Sequence, residues 1–202
     1  MTEAEELHQN LLTETRKLLT GSFPTVIDFM DKALDKDIKL TIPPANQLPV
    51  CKLIPDSLDF ASPLTSDIVS AIIQTIPFLQ WQQSYTIKDG FDAHYLDNYV
   101  WFNLVSPDGP FYSEDIRISV GYWGCGLHYK NHWHEPEEIY IPLAGDARFH
   151  SEGTVSKIAK PGDLILHRSN QPHSIDMDTK PLLAMAVWRG ANLNRKSGLP
   201  KT

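Results

Sequence analysis

The chain is expected to be mainly β, a small antiparallel barrel preceded by an N-terminal α-helical region. Three observations predict this. Apolar residues recur at helical spacing through the first 80 residues, the period drops to two from Trp81 onward, and the later apolar runs are short and separated by turn chemistry with no helical pattern between them. With 202 residues the chain has room for one sizeable domain or a modest one with an appendage, and the division expected is a helical region over 1–80 packing on a barrel over 81–202.

Thr2 and Glu5 have the form of a capping box, and Leu7, Leu11, Leu12, Leu18 and Leu19 fall near one face, which predicts a helix over residues 3–19 closed by Gly21. Pro24 suits the first turn of a second helix, in which Val26, Met30, Ala33 and Leu34 recur and which ends before Asp35. Residues 36–63 carry five prolines and are expected to be an extended connection on the surface. A third helix over Thr65 to Thr75 places Ile68, Ile72, Ile73 and Ile76 on its buried side, with Pro77 as the stop.

Strands are predicted around Tyr99, Trp101 and Leu104, then at Ile116, Ile118, Val120 and Tyr122, where the alternation is strict. Further strands are expected over 138–143, 155–159, 164–167 and 182–188, with Gly145-Asp146, Glu152-Gly153 and Pro161-Gly162-Asp163 as turns. Short strands without intervening helices point to a sandwich or barrel.

Composition narrows the function. Hydrophobic residues make up 42% and charged ones 21%, as in soluble globular chains, which excludes disordered and fibrous classes. A net charge of −7 with no basic run argues against nucleic acid or an anionic membrane as partner. No run approaches the ~20 apolar residues of a membrane span, and the opening segment is acidic where a secretory signal is basic, so a cytoplasmic location is expected. Cys51 and Cys125 stand in dissimilar surroundings and give neither a disulfide framework nor a thiolate metal site.

Chemistry concentrates between Leu127 and Tyr140, where His128, His132 and His134 fall within seven residues. Alternate side chains of an extended segment share a face, so His132 pairs with His134, and Glu138 with Tyr140. Two imidazoles and a carboxylate suit one first-row divalent metal such as Zn, Fe, Mn, Co or Ni, and the lack of cysteine argues against a purely structural zinc. His128 is expected to face outward or to stand behind a metal ligand, Glu137 to be a solvated neighbour of the ligand, and His150, His167 and Lys130 to be structural or surface residues.

Gly126, His132, His134, Glu138 and Gly145 reproduce Gly-x5-His-x-His-x3-Glu-x6-Gly. This resembles the first motif of the cupin superfamily, whose fold is a jelly-roll or double-stranded β-helix. Pro161-Gly162-Asp163 followed by Asn170-Gln171-Pro172-His173 resembles the second motif, and on that resemblance His173 completes a metal set of His132, His134, Glu138 and His173. Tyr129 and Tyr140 extend the pattern to Tyr-x2-His-x-His-x3-Glu-x-Tyr, which is similar to the dimethylsulfoniopropionate (DMSP) lyase cupins of the Q type.

The resemblance implies a β-elimination that splits a small zwitterionic sulfonium into acrylate and dimethyl sulfide, with the metal binding the substrate carboxylate. It makes Tyr140 the first choice for the base, with Tyr129 assisting as substrate-orienting residue or second acid or base. The sulfonium calls for aromatic faces, from Trp188 with Tyr122 or Trp101. Either a monomer or a homodimer is expected. Competing readings are an iron dioxygenase, a lyase-like cupin with a different substrate, and a non-enzymatic sensor or storage cupin. The paired tyrosines speak against the first, and the absence of a helix-turn-helix pattern against the last. The N-terminal helices are expected to help close the pocket from water.

Overall fold

The computed structural model describes residues 1–35 and 38–200. Helix α1 runs Glu3–Ser22 and starts as the sequence predicts, with Thr2 accepting from the Glu5 backbone and Glu5 reaching back to the Thr2 backbone. It continues through Gly21 rather than ending there, and Phe23 caps it. Helix α2, Pro24–Phe29, is shorter than expected. Asp31 and Lys32 adopt φ of 48° and 56°, a left-handed pair that no α-helix continues through, and Ala33–Asp35 resumes as a 3-10 turn.

The proline-rich connection also differs from expectation. Its first two residues, 36 and 37, lie outside the described residues, but Pro49–Phe60 forms a 3-10 helix that buries Val50, Cys51, Ile54 and Ser57. Proline removes the donor that α-helix needs, yet in a 3-10 turn Pro49 takes a first position where no donor is required. Helix α3, Ser66–Thr75, buries Ile68 and Ile72 together with Val69 and Ala71, while Ile73 is only partly covered. Residues 81–98 hold no strand but a short helix α4, Ala93–Asp97, capped by Asp92.

Ten strands follow among the described residues: β1 (Tyr99–Ser106), β2 (Phe111–Tyr112), β3 (Ile116–Trp123), β4 (His128–His132), β5 (Glu137–Gly145), β6 (Ala147–Ser151), β7 (Lys157–Ala159), β8 (Ile165–His167), β9 (His173–Asp176) and β10 (Leu182–Arg189). They form a six-stranded sheet in the order β2-β1-β3-β10-β5-β8 and a four-stranded sheet in the order β4-β9-β6-β7. From β3 to β10 the chain crosses repeatedly between the two sheets, and their orders β3-β10-β5-β8 and β4-β9-β6-β7 are those of a jelly-roll, the expected cupin barrel.

The six-stranded sheet is buried on both faces. Ile116, Ile118, Val120 and Tyr122 of β3 join Ile139, Ile141 and Leu143 of β5 in one apolar cluster with Leu11, Leu19, Val26 and Ile72 of the helices. Residues of opposite parity, Trp123, Tyr140, Ala186 and Trp188, face the barrel interior with Tyr129, Phe149 and Ile175. The helices therefore back the sheet on the side away from the barrel interior.

Gly145 explains why the motif ends in glycine. It closes β5 at φ +77°, and a Cβ there would stand 1.7 Å from the Pro181 carbonyl oxygen. Gly145→Ala is expected to cost about 3 kcal/mol, read as a melting temperature about 10 °C lower. An unchanged melting curve would mean that the turn can shift to make room.

Candidate metal centre and pocket

The two sheets bring the expected ligands together at one end of the barrel. His132 ends β4, His173 begins β9 directly opposite it, His134 lies on the crossing to β5, and Glu138 sits near the start of β5. Donor nitrogens of His132, His134 and His173 all lie within 4.8 Å of one another. Glu138 Oε2 is 3.0 Å from His134 Nε2 and 3.3 Å from His173 Nε2, and all four residues are buried.

The ring orientations are fixed from behind. His132 Nδ1 donates to the Lys130 carbonyl, His134 Nδ1 to that of Pro136 and His173 Nδ1 to that of Gln171, each at 2.8 Å. A carbonyl only accepts, so each Nδ1 carries the proton, and in the neutral ring Nε2 presents its lone pair to the cluster. Among the described residues His173 Nε2 has no hydrogen-bond partner, although it is buried 3.3 Å from the carboxylate. Acceptor thus faces acceptor inside the protein, an arrangement that a cation between them would relieve. The donors present fit one divalent transition metal.

Glu138 is oriented too. Its Oε1 accepts from Trp188 Nε1 at 2.6 Å, and the Trp188 ring stacks on His134 with centroids 4.1 Å apart. Trp188→Phe keeps the stacking and removes the donor. It is expected to weaken metal affinity about 10- to 100-fold in competition with a chromophoric chelator. Unchanged affinity would reduce Trp188 to packing.

Tyr140 follows Glu138 on the same face of β5 and pairs with its carboxylate. Burial first, and then the charge of Glu138, push its phenol well above the ordinary tyrosine value. Tyr129 stacks on His132 with centroids 4.0 Å apart, and its hydroxyl lies 2.8 Å from that of Tyr85. Beside these residues opens a cavity of about 300 Å³, lined by Glu138, Tyr140, Tyr129, Tyr99, Trp123 and Trp188 among others. Residues 82–84 and 194–197 form part of its wall, and α1 to α3 contribute nothing to it, so these segments rather than the N-terminal helices border the pocket.

One expectation about substrate-binding residues, that for Tyr122, needs correction. Tyr122 shares its parity with Ile116, Ile118 and Val120 and so packs under the helices, away from the cavity. Trp188 lines the cavity as expected, with His134 stacked on its ring and the Arg117 guanidinium 4.5 Å from its centroid. Trp101, its alternative, lines the cavity as well.

His167 was expected to be unremarkable, yet it is fully buried and stacks on His173 at 3.9 Å. Among the described residues its Nε2 has no hydrogen-bond partner, and it groups with Glu138 and His173 within 4.8 Å. Burial is the largest cause that lowers its pKa to about 3. His128 and His150 instead share Asp176 near the surface. Tyr85 and Arg117 escaped the sequence reading. Arg117 shares its parity with Ser119, Gly121 and Trp123, which form the cavity-facing side of β3.

Residues 24–184 match the dimethylsulfoniopropionate lyase family. The chain belongs to that family. The DMSP lyase DddQ of Ruegeria pomeroyi is 30% identical over 190 residues, spanning 94% of this chain and 92% of the relative. The crystal structure of DddQ from Ruegeria pomeroyi DSS-3 superposes with a TM-score of 0.89 at 29% identity, covering 98% of both chains. A chain from the crystal structures of the DMSP lyases RdDddP and RnDddQII superposes at 0.92 with 30% identity, covering 98% of this chain and all of that one. Family membership and fold extend through the helices as well as the barrel. No helix of the described residues is long and apolar enough to cross a membrane.

Proposed function

We propose that this chain is a metal-dependent carbon–sulfur lyase that cleaves dimethylsulfoniopropionate into acrylate and dimethyl sulfide. The observation that carries the reading is the adjacency of Tyr140 to Glu138 on one strand face, at the wall of a cavity rimmed by aromatic rings, in a member of this family. His132, His134, Glu138 and His173 would hold the ion. When bound, a divalent ion supplies positive charge that stabilises the anion developing beside the substrate carboxylate and favours the phenolate of a nearby tyrosine.

The chain's own residues do the rest. Tyr140 takes the proton from the carbon next to the carboxylate, the carbon–carbon double bond forms, and the carbon–sulfur bond breaks with its electron pair leaving on sulfur. Tyr129, held by Tyr85, orients the substrate against His132. The faces of Tyr99 and Trp123 receive the sulfonium, a cation with no hydrogen to donate. We further read residues 1–80 as a supporting layer and 81–202 as the catalytic barrel, with a cytoplasmic location.

Headspace detection of dimethyl sulfide from purified, metal-loaded protein given DMSP tests the reading. Release of dimethyl sulfide with matching acrylate is the expected result. No release from any metal-loaded form would overturn it and direct attention to oxygen uptake with iron.

A further inference from the structure

Two rows of paired residues meet inside the barrel. In the six-stranded sheet Trp188 pairs with Glu138 and Glu138 with His167. In the four-stranded sheet His132 pairs with His173 and His173 with Ser151. Glu138 lies 3.3 Å from His173 across the gap, and His167 Nδ1 lies 3.0 Å from Ser151 Oγ. The metal set drawn from the sequence takes one residue from the first row and two from the second, with His134 from the crossing between them. It leaves His167 without a task.

His167 is fully buried, and its ring stacks on that of His173 with centroids 3.9 Å apart and planes 10° apart. Ser151 engages Nδ1, whereas no hydrogen-bond partner for Nε2 stands among the described residues. A buried histidine kept only for packing would have its polar atoms satisfied. The tautomer is open to only one useful choice. A hydroxyl accepts as readily as it donates, so Nδ1 can give its proton to Ser151, as the Nδ1 atoms of His132, His134 and His173 give theirs to carbonyls. The opposite tautomer gains nothing, since its Nε2–H would have no acceptor in reach among the described residues.

With Nδ1 protonated, Nε2 of His167 presents a lone pair beside the Glu138 carboxylate and the lone pair of His173 Nε2. Donor atoms of these three residues lie within 4.8 Å of one another. Three acceptors enclosed together repel unless a cation stands among them. We propose that His167 is a fifth donor residue of the metal centre, binding the ion through Nε2 alongside Glu138 and His173. This deepens the metal reading and rests on it. Each sheet then contributes two donors, Glu138 and His167 from one and His132 and His173 from the other. An ion that takes six ligands would keep one position for the substrate carboxylate.

Cobalt(II) loading of the full chain separates a donor from a packing residue. In a cobalt-substituted protein each coordinated imidazole with a protonated Nδ1 gives one exchangeable proton signal shifted far outside the ordinary NMR range. Four such signals are expected from wild type, three from the Nδ1–H groups held by carbonyls and the fourth from the one held by Ser151. His167→Gln should remove the fourth alone and lower cobalt affinity roughly 10- to 100-fold in competition with a chromophoric chelator. Ser151→Ala, which leaves that Nδ1–H open to exchange, should broaden the fourth signal and spare the others. Three signals from cobalt-loaded wild type, or a fourth that persists in His167→Gln, would overturn the proposal and leave the metal reading standing. Protein that retains no cobalt would refute the metal reading and the fifth donor with it. Should His167→Gln fail to fold, the wild-type count decides alone.

Discussion

Tyr140→Phe is expected to lower dimethyl sulfide release about 1,000-fold while leaving metal content and melting temperature unchanged. The substitution removes one oxygen and leaves the ring, which packs against Phe149 and Trp123. What disappears is the only group that follows Glu138 on the cavity-facing parity of β5 and can accept a proton. The phenol is enclosed, and the Glu138 charge opposes its ionisation, so its acidity depends on positive charge placed beside that carboxylate. Turnover and metal occupancy measured on the same preparation test this. Activity within tenfold of wild type would move the role of base to Tyr129, which Tyr129→Phe would then examine directly. Tyr129 is the weaker choice because its hydroxyl is already engaged with Tyr85 at 2.8 Å.

Metal removal should have an effect as large, on two readouts at once. Stripping with a chelator is expected to abolish turnover and lower the melting temperature, and adding back a divalent ion to restore both. At an ion concentration about 1,000 times Kd, binding to the folded state alone is worth about 4 kcal/mol, or about 10 °C for a chain of this length. The loss follows from the cluster itself. Three imidazoles pinned by backbone carbonyls turn their Nε2 atoms toward one another and toward Glu138, and an unfilled cluster keeps that mutual repulsion inside the barrel. Melting that ignores metal content would show that the ligands are not held in this geometry. Turnover that survives stripping would show that the reaction does not use the ion.

How much of this was readable in advance depended on how local the determining interaction is. The capping box of α1 closes within four residues, and Thr2 and Glu5 announce it. The histidine and glutamate spacing was equally plain, because His132, His134 and Glu138 lie on one short crossing between sheets. The 3-10 helix over Pro49–Phe60 was not, since prolines reveal the loss of α-helical bonding and say little about which tighter turn replaces it. Tyr122 and Arg117 failed for a different reason. The alternation along β3 was visible, but it separates two buried faces rather than core from solvent, and only the placement of the helices tells which face is the pocket. His167 lies on a three-residue strand whose pairing with Glu138 is set by a partner almost thirty residues earlier.

Strand β10, sequentially the last of the ten, lies in the middle of its sheet, between β3 and β5. Its partners precede it by about 40 to 70 positions, so the barrel cannot close progressively from one end as the chain collapses. Until Leu182–Arg189 inserts, β3 and β5 each expose an unmated backbone edge, and the helices have only a split platform to dock on. Folding should therefore be slow and nearly all-or-none in its final step, with the open edges a point of vulnerability to association. The same insertion brings Trp188 to Glu138, so the carboxylate expected to hold the metal is oriented in the event that completes the architecture.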